Sequence, residues 1–139
     1  MTFAVYDSGN NEIINVEDIL IPKAFAVPEA LKYVRNNFLD VLREFEIKRA
    51  GIRVTESNSQ TLNIGRIQLE GVIQEAFASS TLDYYYIGQI ASISARIGID
   101  RADFKLYVDG SKTWHVDNWD GLKPVQREAV LCAIGAAHA

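Results

Sequence analysis

Apolar and polar residues alternate along two short runs near the start of the chain, TFAVYD and EIINVEDILI, separated by Ser8-Gly9-Asn10-Asn11. Alternation is the period of a half-buried strand, and Gly and Asn tolerate the backbone of a tight turn, so Thr2 to Ile21 predicts a β-hairpin. Beyond Pro22 and Pro28 the period changes. Leu31, Val34, Phe38, Val41, Leu42 and Phe45 recur at helical spacing through EALKYVRNNFLDVLREFE, which predicts a helix with one apolar stripe. Ile47 to Thr55 predicts a strand with Ile52 and Val54 on one side and Arg53 and Thr55 on the other, bounded by the polar run Ser57-Asn58-Ser59-Gln60. Asn63 is suited to cap a second helix, IGRIQLEGVIQEAFASS, whose Leu69, Val72, Ile73, Ala76 and Phe77 form the buried stripe. Gly71 inside that helix costs about 1 kcal/mol against alanine and is therefore expected to mark close packing on a neighbour. A strand from Leu82 to Ile87 and a short helix from Gln89 to Ile97, stopped by Gly98, come next. Residues 99 to 122 read as polar and irregular around Trp114 and Trp119, and an alanine-rich helix from about Lys123 to Ala137 closes the pattern.

The predicted order is β-β-α-β-α-β-α-loop-α. Strands alternating with crossover helices favour a parallel sheet covered on its faces, an α/β architecture. A length of 139 residues, 48% of them hydrophobic, suits a single domain over 1–139 that buries roughly two-thirds of its unfolded surface without a staple. The 14 basic and 18 acidic side chains leave a formal charge of −4. That balance opposes broad coating of nucleic acid by counterion release while leaving room for a local basic groove. One cysteine, Cys132, excludes an intramolecular disulfide, and MTFAVYD lacks the basic and apolar regions of a secretion signal. With no apolar run near the roughly 20 residues that span a bilayer, the expectation is a reduced, cytoplasmic protein away from the membrane.

Several chemistries are disfavoured. Gly65 and Gly71 are too sparse for a phosphate-binding loop, and Ser8 lacks the flanking glycines of a nucleophile elbow. His115, Asp117 and Asp120 crowd one loop, but the two tryptophans beside them point more simply to a segment pinned by aromatic burial. Cys132 reads as a packed thiol and His138 as solvated. Three carboxylates are better placed: Glu56 at the carboxyl end of a strand, where open α/β sheets put their sites, Glu70 on the flank of a helix stripe, and Glu128 in the first turns of the last helix. Converging, they would suit one or two Mg²⁺ or Mn²⁺ ions, since hard cations take oxygen ligands; apart, they are solvated surface groups.

The succession of TFAVYDSGNNEIINVEDILIP, ALKYVRNNFLDVLREFEI, AGIRVTES, GRIQLEGVIQEAFASS, LDYYYIG and QIASISARIG, ending in REAVLCAIGAAHA, resembles the ribonuclease-H-like superfamily in its RuvC-type resolvase form, and within it the small bacterial members of about this size. The resemblance implies a mixed sheet, an antiparallel amino-terminal hairpin plus parallel strands, covered by helices. It implies a Mg²⁺- or Mn²⁺-dependent nuclease or resolvase with Glu56 and Glu128 as metal ligands, Glu70 beside them, and Arg53, Lys105 and Lys112 steering phosphates. A second acid expected in the last helix falls on Val125. In one register the hairpin supplies the second and third strands and the first strand is missing or lies upstream; in the other, TFAVYDSG is the first strand with Asp7 as a further ligand, and the sheet is one strand short. An open strand edge of that kind would favour a homodimer. The alternative is a catalytically inactive binding or assembly module of the same fold, presenting Tyr84-Tyr85-Tyr86 or the tryptophan-bearing loop.

Overall fold

A computed structural model describes residues 1–58 and 60–138. Its elements are β1 (Thr2–Asp7), β2 (Glu12–Asp18), α1 (Val27–Glu44), β3 (Arg49–Arg53), α2 (Ile64–Ser79), β4 (Tyr84–Gly88), α3 (Ile90–Ile97), α4 (Arg101–Asp109) and α5 (Pro124–Ala137), with a 3₁₀ turn at Trp119–Gly121 between the last two. The chain divides into two compact units, one formed by Met1–Asp18 with the residues from Ile90 onward, the other by Ile19–Gln89.

In the first unit β1 and β2 pair antiparallel, Thr2 opposite Asp18 and Asp7 opposite Glu12. The register shifts between Val5, which faces Asn15, and Tyr6, which faces Ile13, so Ile14 is the extra residue of a bulge. The turn forms where Gly and Asn predict it, and its left-handed residue is Asn11, at φ 51°. α5 packs on this hairpin, and α3 and α4 pack on α5. Val5, Ile93, Phe104, Trp119, Val130, Leu131 and Ile134 are buried, and Cys132 lies among them as a packed thiol.

In the second unit β3 and β4 run parallel, as alternating strands and crossover helices require. α1 packs on α2 through Val34, Phe38 and Leu42 against Ile73, Ala76 and Phe77, all buried. The Phe77 ring stands between those of Phe38 and Tyr85, at centroid distances of 5.7 and 5.4 Å. Tyr86 is buried while Tyr85 is exposed, the alternation a strand imposes. Gly51 sits opposite Tyr86 in the ladder, and a Cβ there would lie 2.1 Å from Tyr86 Cε1. The aromatic ring occupies the space that any other residue at 51 would fill.

Two expectations are corrected. Residues 99 to 122 are not wholly irregular, because α4 forms within them. Asp100 is extended at its start, Phe104 is buried, and Gly110 ends it in the left-handed conformation at φ 87°. Gly71 marks no close packing: it is exposed, and nothing lies within 4 Å of where its Cβ would be. Among the described residues no helix is long and apolar enough to cross a membrane.

Candidate functional site

The carboxyl end of the parallel ladder is where the second unit concentrates polar side chains. Beyond β3 the backbone continues alongside β4 for one more residue, Val54 N donating to Gly88 O at 2.9 Å. Thr55 is then gripped by Glu70 of α2: its backbone N–H donates to Oε1 at 2.8 Å and its hydroxyl to Oε2 at 2.7 Å. Arg66, one helical turn before Glu70, donates Nε to Oε2 at 3.0 Å. Gln89 adds a longer bond, Nε2 to Thr55 O at 3.4 Å. α2 starts where predicted, Asn63 Oδ1 accepting from Arg66 N at 3.0 Å, so the cap holds the turn that presents Arg66.

Glu70 is thus buried with both oxygens engaged, a charge taken out of water and compensated by a cation, a hydroxyl and an amide. It fixes the residue immediately before Glu56, which is itself half-buried. Arg53, on β3 opposite Gly88, is half-buried two residues before Thr55. The sequence places Glu56 and Glu70 near one another in role; the structure distinguishes a carboxylate at the strand end from one that anchors it.

Asp7 and Glu128 belong to the first unit. Asp7 ends β1 and closes the hairpin turn, its Oδ1 accepting from Gly9 N at 2.9 Å and its Oδ2 from Asn10 Nδ2 at 2.8 Å. The Asn10 amide and then the Gly9 N–H hold its carboxyl below the usual range and keep it ionised. Burial, and next the charge of Asp7, pushes the Tyr6 phenol up. Glu128 is half-buried on α5, and Val125, one turn before it, is exposed. Lys105 is exposed on α4. Lys112 is engaged, with Nζ 3.1 Å from Asp103 Oδ1 and 5.8 Å above the Tyr107 ring. Among the described residues, neither unit gathers three or more His, Cys, Asp or Glu side chains in a metal-binding group.

A residue that the sequence reading passed over organises the first unit. Arg127 is buried on α5, with Nε donating to Trp119 O at 3.1 Å, one terminal nitrogen to Val108 O at 3.2 Å and the other to Asp120 O at 3.3 Å. Trp119 Nε1 donates in turn to Tyr107 O at 3.2 Å. One guanidinium therefore ties the carboxyl end of α4 to the turn before α5, where cations favour the exposed carbonyls of a helix end. Arginine near the start of an alanine-rich helix was the available signal.

Against solved structures the chain is similar to RuvC of Thermus thermophilus in complex with a Holliday junction substrate, with a TM-score of 0.65 over 97% of this chain and 83% of that one, at 13% identity. A second Thermus thermophilus RuvC structure gives a TM-score of 0.62 over 91% of this chain and 77% of that one, at 12% identity. The fold is ribonuclease-H-like. No family model matches the chain, and no curated protein matches it. Within this fold the β1–β2 hairpin is the antiparallel part and β3–β4 the parallel part, flanked by helices. Glu56 lies just past the carboxyl end of a parallel strand, the position at which open α/β sheets hold their chemistry.

Proposed function

We propose that the chain is a RuvC-type phosphodiesterase that acts on branched DNA with the help of a divalent metal. The observation that carries this reading is the grip of Glu70 on Thr55, which fixes the strand end bearing Glu56 in a fold shared with a junction-bound RuvC. A preorganised carboxylate at a strand end is what a metal-dependent site needs, because the ligand must not reorganise as charge develops on the phosphate. In this reading Glu56 is a metal ligand and Glu70 the positioning residue for its strand end, while Glu128 and Asp7 are the acids that the resemblance to RuvC-type resolvases assigns in the first unit. Carboxylate oxygens are the right donors for Mg²⁺ or Mn²⁺, which would polarise the phosphodiester and stabilise the attacking and leaving oxygens. Arg53 and Lys105 would draw in phosphates, with Lys112 held back by Asp103. A four-way junction offers two equivalent strands, so the acting form in this reading is a homodimer, which light scattering would test.

The decisive measurement is cleavage of a synthetic four-way junction and of single-stranded DNA with Mg²⁺ or Mn²⁺. Cleavage that needs the metal and falls at least a hundredfold in Glu56→Gln, with the fold retained, is the expected result. Glu70→Gln should lower cleavage less and also speed amide exchange at Thr55. The second reading is an inactive binding module, favoured by Tyr85, a large side chain left exposed on β4. Junction binding without cleavage at any divalent concentration would select it, and neither binding nor cleavage would overturn both.

A further inference from the structure

β2 has β1 on one side, and a cleft of about 520 Å³ lies against it, lined by the consecutive residues 10–16 and by Asp117, Asn118 and Leu122. A hollow on one face of a two-stranded sheet would touch alternate residues of β2 and their neighbours in β1. This one touches the consecutive residues Glu12–Val16 and none of β1, so it runs along the strand's outer edge. β1 is the sole ladder partner of β2 among the described residues, and about half of a strand's N–H and C=O groups point to its second side.

Both walls are braced. Asn11, in the left-handed conformation, donates Nδ2 to His115 O at 2.8 Å and accepts the Tyr6 hydroxyl at 2.6 Å. Asn118 is also left-handed, at φ 63°, beside the turn that Arg127 holds. Both asparagines take the left-handed conformation that this residue tolerates, and they shape the rim of one cleft. The edge carries an exposed apolar residue, Ile14 at 48%, at the bulge, with Leu122 on the far wall.

Charge decides what fits. Two copies of β2 paired antiparallel about Ile14 and Asn15 would set Glu12 opposite Glu17, a like-charge contact that destabilises a ladder. The excess acid of the chain falls in this unit, where ten carboxylates accompany six Lys and Arg, while acids and bases balance in Ile19–Gln89. At the cleft itself Glu12 and Asp117 repel phosphate for the same reason. We infer that the β2 edge is a docking groove for an extended, lysine- or arginine-bearing peptide segment of a partner protein, added to the sheet as a third strand. Its backbone bonds to the free side of β2, an apolar side chain seats on Ile14 and Leu122, and its cations face Glu12 and Asp117.

The test is a titration of the ¹⁵N-labelled full chain with a heptapeptide alternating valine and lysine, and with its glutamate-for-lysine counterpart. The lysine peptide should shift the amide signals of Glu12–Val16 and Asp117–Leu122, and its affinity should fall at least tenfold in Glu12→Lys/Asp117→Lys, two exposed positions whose exchange leaves the fold intact. The glutamate peptide should shift none of them. Absence of shifts with the lysine peptide, or equal shifts with both, overturns the inference. So do shifts of the same residues on concentrating the protein alone, which would mean a second copy on the edge, or displacement of the peptide by short duplex DNA. The outcome is independent of whether the chain cleaves a junction.

Discussion

Two glycines that look alike in sequence have opposite meanings in the fold. Gly71 is exposed in the interior of α2 with no atom near its absent side chain, so it contributes only backbone entropy to be lost on folding. Gly71→Ala should therefore stabilise the protein by about 1 kcal/mol, read as a higher urea midpoint at unchanged slope. A midpoint that stays put or falls would show that α2 does not tolerate the residue. Gly51 has no such freedom, because the ring of Tyr86 fills the position of its side chain. Neither periodicity nor composition separates the two, since what differs is the neighbour across space. The carboxylates divide in the same way. Glu56 is legible at the end of a strand because the alternation stops there in a polar run. Glu70 is not legible as an anchor because its partner, Thr55, lies fifteen residues earlier, just past β3, and only packing of α2 on β3 brings them together.

At the scale of elements, the hairpin, the two long helices and the parallel strands follow their periods, and α4 does not announce itself. It has only nine residues, one of its apolar positions, Phe104, is buried, and the irregular loop after it hides where the helix stops. Asp100 before it and Gly110 after it were the boundary signals. What fixes α4 is tertiary: the three bonds from Arg127 that join its last turn to Trp119 and Asp120. Replacing Arg127 by Met keeps the bulk and removes every donor. Charge-assisted bonds of this kind are worth roughly 1.5–3 kcal/mol, so the variant should lose about 2–3 kcal/mol of stability. Trp119, almost wholly buried, should show red-shifted emission as the turn loosens, and an unchanged spectrum would count against the strap. Arg127→Lys should recover little, since one ammonium cannot reach three carbonyls in a fixed fork.

At the scale of the whole molecule, four of the described groups bear on how stability depends on pH. Asp7 is lowered by Asn10 and Gly9, Glu75 by Arg35 and Ser79, and Asp109 by Ser111. A carboxyl lowered on folding stabilises the native state above its unfolded value, and that stabilisation disappears as pH falls through the folded value. Tyr6 acts in the opposite direction: raised by burial, it stabilises below its unfolded value near pH 10, and loses that effect as the pH rises further. The urea midpoint should thus stay level between about pH 5 and 9 as far as these groups decide it, then fall on both sides. Converting Asp7, Glu75 and Asp109 to their amides should make the acid limb shallower; an unchanged limb would assign it to other groups. Gly51 and Tyr86 are coupled across the ladder, because the ring fills the place of any side chain at 51. Any enlargement at 51 must arrive with a smaller ring-site residue at 86, so lineages descended from this chain would exchange the pair in tandem. The parallel ladder thus writes a constraint between two positions thirty-five residues apart, one that neither residue carries alone.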